Sequence, residues 1–201
     1  MRPERLHPVA GVVLAAGTST RMGKNKLLFQ LDGETILKRA VVRALAARLD
    51  PVLVVVGHEA ELALEELSGL PVQPVWNPDY ASGIHSSLSA GIAAIPTGVG
   101  AAVVVLADMP LVTDRMIATL VERYRESEAP LVISDYSGVQ APPTLYDRSL
   151  FDELHRTPGE GCAKQVVRHH RAEALAVAWP RAALTDVDRR EDFERLSDEL
   201  G

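Results

Sequence analysis

Short apolar runs alternate along this chain with longer stretches in which apolar positions recur every three or four residues. The runs VAGVVLA (9–15), PVLVVVG (51–57), AAVVVLAD (101–108) and PLVISD (130–135) are almost unbroken in Val, Ile, Leu and Ala. Runs of that kind suit strands buried on both faces, as in a parallel sheet. PVQPVW (71–76) is a weaker strand, and its prolines push it toward an edge. Between the runs, GETILKRAVVRALAARL (33–49) sets Ile36, Leu37, Ala40, Val41, Ala44, Leu45 and Leu49 on one helical face, with Arg and Lys on the other. EAELALEELSG (59–69), SSLSAGIAAI (86–95) and TDRMIATLVERYRES (113–127) read as further helices, the last with Thr113 as its N-cap. This alternation predicts an α/β domain with a mainly parallel sheet. Residues 137–160, rich in Pro and Gly, read as an insertion or lobe rather than a second domain.

In an open parallel sheet, ligands bind beyond the carboxyl ends of the strands. Three polar or glycine-containing segments fall there: the loop 15–26, NPDYASGIHSS (77–87) and ADMP (107–110). They are expected to converge on one crevice.

The chain has 201 residues, enough for one core, and no repeat, low-complexity stretch or linker divides it. A net charge of −6 argues against general nucleic-acid binding, which calls for a basic surface. The single cysteine, Cys162, excludes an internal disulfide and any cysteine-based metal cluster, and reads as a buried or neutral thiol. The opening apolar stretch 9–16 is short and runs into a basic loop rather than a cleavage site. No stretch approaches the roughly 20 apolar residues that span a bilayer. A soluble cytoplasmic protein without a membrane partner is expected.

The loop LAAGTSTRMGKNK (14–26) has the look of a phosphate grip, yet five residues separate Gly17 from Gly23, and Asn25 stands where a P-loop has its magnesium-binding hydroxyl. It also lacks the third glycine of a dinucleotide fingerprint. Its small residues Ala15, Ala16 and Gly17 would let the backbone approach a flat ligand such as a nucleobase. Arg21 and Lys26 bring charge for a polyphosphate. Asp108, ending an apolar strand, needs a partner: Mg²⁺ shared with phosphate oxygens, a helix cap, or backbone donors would each serve. In ALTDVDRREDFERL (183–196), Asp186 and Asp188 alternate on an extended segment, so one could give a metal its second carboxylate while the other caps the terminal helix. His58, His85, His169 and His170 fit no zinc pattern and read as ordinary polar residues. A G-x-S-x-G elbow is absent.

Taken in order, LAAGTSTRMGKNKLL, NPDYASGIHSSLSAGI, LADMP and DVDRREDF resemble the nucleotidyltransferase family that includes molybdenum cofactor guanylyl- and cytidylyltransferases. The resemblance covers nearly the whole chain. LAAG with GIHSSL looks more like the cytidylyl branch than the guanylyl branch, whose members usually read LAGG. The resemblance implies a Rossmann-like three-layer α/β/α sandwich: one nucleotidyltransferase domain over residues 1–201, with a nucleotide-binding half to about 110 and an acceptor-side half beyond. It further implies that Leu14, Ala15, Ala16 and Gly17 hold the base, and that Ser19, Arg21, Gly23 and Lys26 belong to the nucleotide loop, with Arg21 and Lys26 on the triphosphate. Asn77, Ser82, Gly83, Ser86 and Ser87 would line the ribose and acceptor side. Asp108 would hold Mg²⁺, with Asp186 or Asp188 as the second acidic position. The partners implied are CTP, a phosphorylated acceptor such as molybdopterin cofactor, and a client molybdoenzyme.

The acceptor half departs from that pattern. QAPP (140–143) stands where cytidylyl relatives carry GHP, and GEGCA (159–163) replaces a Gly-Asp-x-Gly-Ala pattern. DVDRRED replaces DIDTPED. A sugar or polyol phosphate acceptor, or a non-catalytic cofactor carrier or insertion chaperone, therefore stand as rival readings.

Overall fold

The computed structural model describes residues 7–17, 25–157, 159, 161–185 and 191–193. In chain order the strands are β1 (Val9–Leu14), β2 (Gln30–Leu31), β3 (Glu34–Thr35), β4 (Val52–Val56), β5 (Gln73–Trp76), β6 (Ala101–Leu106), β7 (Leu131–Tyr136), β8 (Val139–Asp147) and β9 (Leu175–Trp179). The helices are α1 (Ile36–Ala46), α2 (Ala60–Glu66), α3 (Ile84–Ala93), α4 (Asp114–Glu126), α5 (Phe151–Arg156) and α6 (Cys162–His169).

Seven strands form one sheet in the order β5-β4-β1-β6-β8-β7-β9, and β2 with β3 form a separate small hairpin. Every pairing in the large sheet is parallel except those of β8, which runs against both β6 and β7. The period-2 geometry of a strand then sorts the side chains into two cores. Val9 and Val13 of β1 join Ile36, Leu37, Ile117 and Leu120 on one face, beneath α1, α2 and α4. Val12 and Leu14 join Leu88, Ile92, Leu154 and Val166 on the other, beneath α3, α5 and α6. The result is a three-layer α/β/α sandwich. As expected, β5 lies at an edge, and Thr113 caps α4 by accepting a hydrogen bond from the Met116 amide at 3.1 Å. Among the described residues no helix is long and apolar enough to cross a membrane.

Two expectations need correction. Residues 137–160 are no inserted lobe. They supply β8, which fills the middle of the sheet, and α5, which covers it. Pro142 and Pro143 obscured the strand. They fall at a register shift, where Ile133 pairs with Thr144 but Ser134 pairs with Ala141. A bulge needs no amide donors from the prolines. Their carbonyls are taken by β7 side chains, Ser134 Oγ donating to Pro143 O at 2.7 Å and Tyr136 Oη to Pro142 O at 2.8 Å. Second, the basic side of α1 does not all face water. Arg39 is buried, with Nη2 donating to Leu31 O at 3.0 Å, and Arg43 is half-buried against the loop after β6.

Candidate active site

The carboxyl ends of β1 and β6 are locked together, with the Ala107 amide donating to Leu14 O at 3.1 Å. The loops leaving these strands therefore start side by side. Beyond them lies a cleft of about 260 Å³ bordered by Leu14, Ala16 and Gly17, by Lys26, and by Leu106 and Asp108. Its other wall is the turn before α3 and the first turn of that helix, with Tyr80, Gly83, Ile84 and Ser87. The three segments expected to converge do so.

Two glycines bring that second wall close. A Cβ on Gly91 would lie 2.5 Å from Val12 Cγ1 and 3.0 Å from Val55 Cγ2, so only glycine lets α3 rest directly on β1 and β4. A Cβ on Gly57 would lie 2.5 Å from the Cβ of Tyr80, so the end of β4 leaves just enough room for that ring. Asn77 then fixes the turn. Its buried side chain donates to Ser86 Oγ at 2.9 Å and Ser87 Oγ at 3.0 Å, while its Oδ1 accepts from the Asp79 amide at 3.0 Å. No side chain caps the start of α3, which lies beside the cleft, as an anion site at a helix N-terminus requires.

Lys26 Nζ and Asp108 Oδ2 are 2.6 Å apart, and both side chains are largely withdrawn from solvent. Each is held from behind. Asn25, itself buried, caps the 3-10 turn Lys26–Leu28 by accepting from the Leu27 amide at 3.1 Å, and Leu27 is buried. On the Asp108 side, Arg43 Nη1 reaches the carbonyls of Pro110 and Val112, the latter at 2.7 Å. Burial, and then the neighbouring Arg39, lower the Arg43 pKa. The guanidinium remains a cation and pins the loop that carries Asp108. Thr113, not Asp108, caps α4, which removes the helix-cap role for that carboxylate.

Of the expected site residues, Leu14, Ala16, Gly17, Lys26, Gly83, Ser87 and Asp108 border this cleft. Ala15 points into the opposite core with Val13. Asn77 and Ser86 tie the turn together and border a neighbouring cleft of about 380 Å³, shared with His85, Ser89, His155 and Arg156. Ser82 is exposed in the short 3-10 turn before Gly83. Ser19, Arg21, Gly23, Asp186 and Asp188 lie outside the described residues. Sequence reasoning did not single out Tyr80, Leu27, Ile84, Leu106 or Arg43. Tyr80 had a legible signal, an aromatic inside the polar segment 77–87, whereas Arg43 looked like any basic residue of an amphipathic helix.

Cys162 is buried at the start of α6, and burial raises its thiol pKa, as fits an inert residue.

Residues 11–174 match the family described as the MobA-like NTP transferase domain. The purine catabolism protein PucB of Bacillus subtilis (strain 168) is 33% identical over 198 residues, spanning 92% of this chain and 94% of that protein. A probable molybdenum cofactor guanylyltransferase of Thermococcus kodakarensis is 30% identical over 197 residues, covering 93% of each chain. Among solved structures, Rv0371c of Mycobacterium tuberculosis H37Rv superposes with a TM-score of 0.85 at 23% identity, over 96% of this chain and 98% of that one. The same mycobacterial protein in complex with manganese superposes with a TM-score of 0.78 at 24% identity, over 96% and 100%.

Proposed function

The chain belongs to the MobA-like NTP transferase domain family and is a nucleotidyltransferase, and on that premise we propose that it transfers CMP from CTP to the terminal phosphate of a molybdopterin-type cofactor. The observation that carries this reading is the Lys26–Asp108 pair in a cleft that also presents Ala16 and Gly17, the ring of Tyr80 and the uncapped start of α3.

An oxygen of the acceptor phosphate attacks the α-phosphorus of CTP. The new P–O bond forms as the bond to the oxygen bridging to the β-phosphate breaks, and pyrophosphate leaves with that electron pair. A phosphomonoester with a second pKa of about 6 is largely ionised at neutral pH, so no side-chain base has to remove a proton. The chain's own contribution is position and charge. Lys26 places a fixed cation beside the triphosphate, and Arg21 would add a second positive charge. The α3 amides receive phosphate or ribose oxygens.

Asp108 is a hard oxygen donor at the strand end, the kind of ligand Mg²⁺ takes while filling its remaining positions with phosphate oxygens and water. When bound there, the ion neutralises charge developing on the phosphates. Asp186 or Asp188 would add the second carboxylate, and the manganese complex of the mycobacterial relative supports a divalent-ion requirement.

Ala16, 4% exposed and bordering the cleft, supports CTP as the donor, since the guanylyl branch carries glycine there. The guanylyltransferase relative supports a molybdenum cofactor acceptor. The β6–β8 register runs only to Val104–Thr144, so the QAPP segment continues past the last paired rung, at the same end of the sheet as Asp108. That segment would meet the acceptor, and its departure from GHP is why a sugar or polyol phosphate remains the second reading.

Pyrophosphate release, measured across the four nucleoside triphosphates with molybdopterin and with sugar phosphates, tests both readings. Release only with CTP and molybdopterin upholds the first. Release with sugar phosphates alone replaces the acceptor, and none with any pair favours a carrier.

A further inference from the structure

On the sheet face that also carries α3, α5 and α6 pack through Phe151, Leu154, Cys162 and Val166, all buried. Outside that apolar contact, Glu153 of α5 meets two consecutive histidines at the end of α6. Its Oε1 is 2.9 Å from His169 Nδ1, and its Oε2 is 2.7 Å from His170 Nε2. One ligand-type atom from each of the three side chains lies within 4.8 Å of the others. The two imidazoles face each other, with ring centroids 4.7 Å apart and planes at 41°. The far side of the His170 ring has a carboxylate of its own, with Nδ1 3.5 Å from Glu173 Oε1.

We propose that Glu153, His169 and His170 form a binding site for a divalent transition metal of the zinc class, with Glu173 orienting His170 from behind. Imidazole nitrogens select zinc, nickel, cobalt or copper over Mg²⁺, so this site would be distinct from the one at Asp108 in ion and in location. A carboxylate on the second ring nitrogen is the usual support for a metal-bound histidine, because it fixes the tautomer and strengthens the donor. Tetrahedral coordination at about 2.0–2.1 Å sets neighbouring ligand atoms about 3.3 Å apart. The present Glu153–histidine separations of 2.7 and 2.9 Å need to open, and the spacing between the two histidine nitrogens, within 4.8 Å, has to settle to the same value. His169 can make that adjustment, since its side chain is 72% exposed, while His170 at 19% is already held.

Sequence patterns for zinc did not reveal this set, because the third ligand comes from a different helix, 16 residues before His169. The bound ion would clamp α5 to α6. His155 and Arg156, which follow Glu153 on α5, border the cleft of about 380 Å³, so the clamp would also steady that wall.

The test uses the untagged full-length chain after treatment with chelator. Co²⁺ is titrated while its visible d–d bands are followed, Zn²⁺ is added in competition, and imidazole nitrogens are followed by NMR. One equivalent of Zn²⁺ should displace Co²⁺ and shift the His169 and His170 resonances. Glu153→Gln and His170→Ala should each weaken Zn²⁺ binding at least tenfold, and Glu173→Gln by about tenfold. If Glu153→Gln or His170→Ala fails to fold, His169→Ala, at an exposed position, gives the same reading. Wild-type affinity in the folded variants, or unshifted His169 and His170 resonances, would overturn the proposal. The cluster would then be a plain ion pair between two helices.

Discussion

Lys26 and Asp108, 82 residues apart in sequence, meet at 2.6 Å where the loops after β1 and β6 come together. Asp108→Asn keeps the side chain's shape and removes its charge. Turnover should fall by roughly 100-fold or more, the scale of a few kcal/mol of lost transition-state stabilisation, with the melting temperature little changed. A wild-type rate at saturating Mg²⁺ would take Asp108 out of the mechanism.

Lys26→Ala and Arg21→Ala remove cations expected to face the triphosphate and leave the base pocket alone. Calorimetry with CTP and with cytidine should show a much larger loss for the triphosphate. Equal losses for both ligands would mean that the loop acts only through its structure.

Arg43 reaches the carbonyls of Pro110 and Val112 without touching the cleft. Arg43→Met keeps much of the stem and deletes the charged donors. Hydrogen bonds from charged groups are worth about 1.5–3 kcal/mol, and urea unfolding should show a loss of that order. Because the loop carrying Asp108 loosens, kcat should drop more than KM for CTP rises. Unchanged stability and unchanged kcat would mean the brace is idle.

Gly57→Ala places a methyl group 2.5 Å from the Cβ of Tyr80, against a ring held by the turn that Asn77 ties down. Overpacking of this kind costs about 1–3 kcal/mol. The displaced Tyr80 should also weaken nucleotide binding several-fold. Thermal unfolding and CTP titration read the two effects, and tight CTP binding in the variant would show that Tyr80 does not shape the pocket.

Competition among the four triphosphates at fixed Mg²⁺ addresses donor choice. CTP should win, and UTP should lose by tenfold or more, since an acceptor facing a pocket built for cytosine's amino group leaves a polar atom unpaired at a cost of about 1–3 kcal/mol. Ala16→Gly should move the preference only partly toward GTP, because Leu14 and Tyr80 also border the pocket. If GTP wins with the unmodified chain, the guanylyl assignment replaces this one.

Much of the architecture was legible because apolar runs and helical periods obey local geometry. β1, β4, β6 and β7 announced themselves as continuous Val, Ile and Leu, and the edge position of β5 followed from its prolines. β8 was hidden because its two prolines look like a break until the bulge and the side chains of Ser134 and Tyr136 are seen to satisfy them. β9 alternates partly buried and exposed residues at an edge, a weaker signal than a buried run. Convergence of three loops on one cleft followed from topology alone. The Lys26–Asp108 pair did not, since each had been assigned a ligand of its own, and pairing at such separation depends on register rather than on any local pattern. The bracing of the Asp108 loop by Arg43 was equally invisible, because charge on a helix face does not say which carbonyl lies opposite.

The antiparallel strand in the middle of the sheet has a consequence for how the protein is made. As the chain leaves the ribosome, β6 can pair at once with β1, but its other edge stays open until Val139–Asp147 has been synthesised. Throughout the making of α4 and β7, the nascent chain therefore offers AAVVVL as a bare, wholly apolar strand edge. Such an edge templates pairing with any neighbouring chain. The vulnerable moment of biosynthesis falls there, after β1 to β6 are made and before β8 covers the open edge, and chaperones would be needed most in that interval.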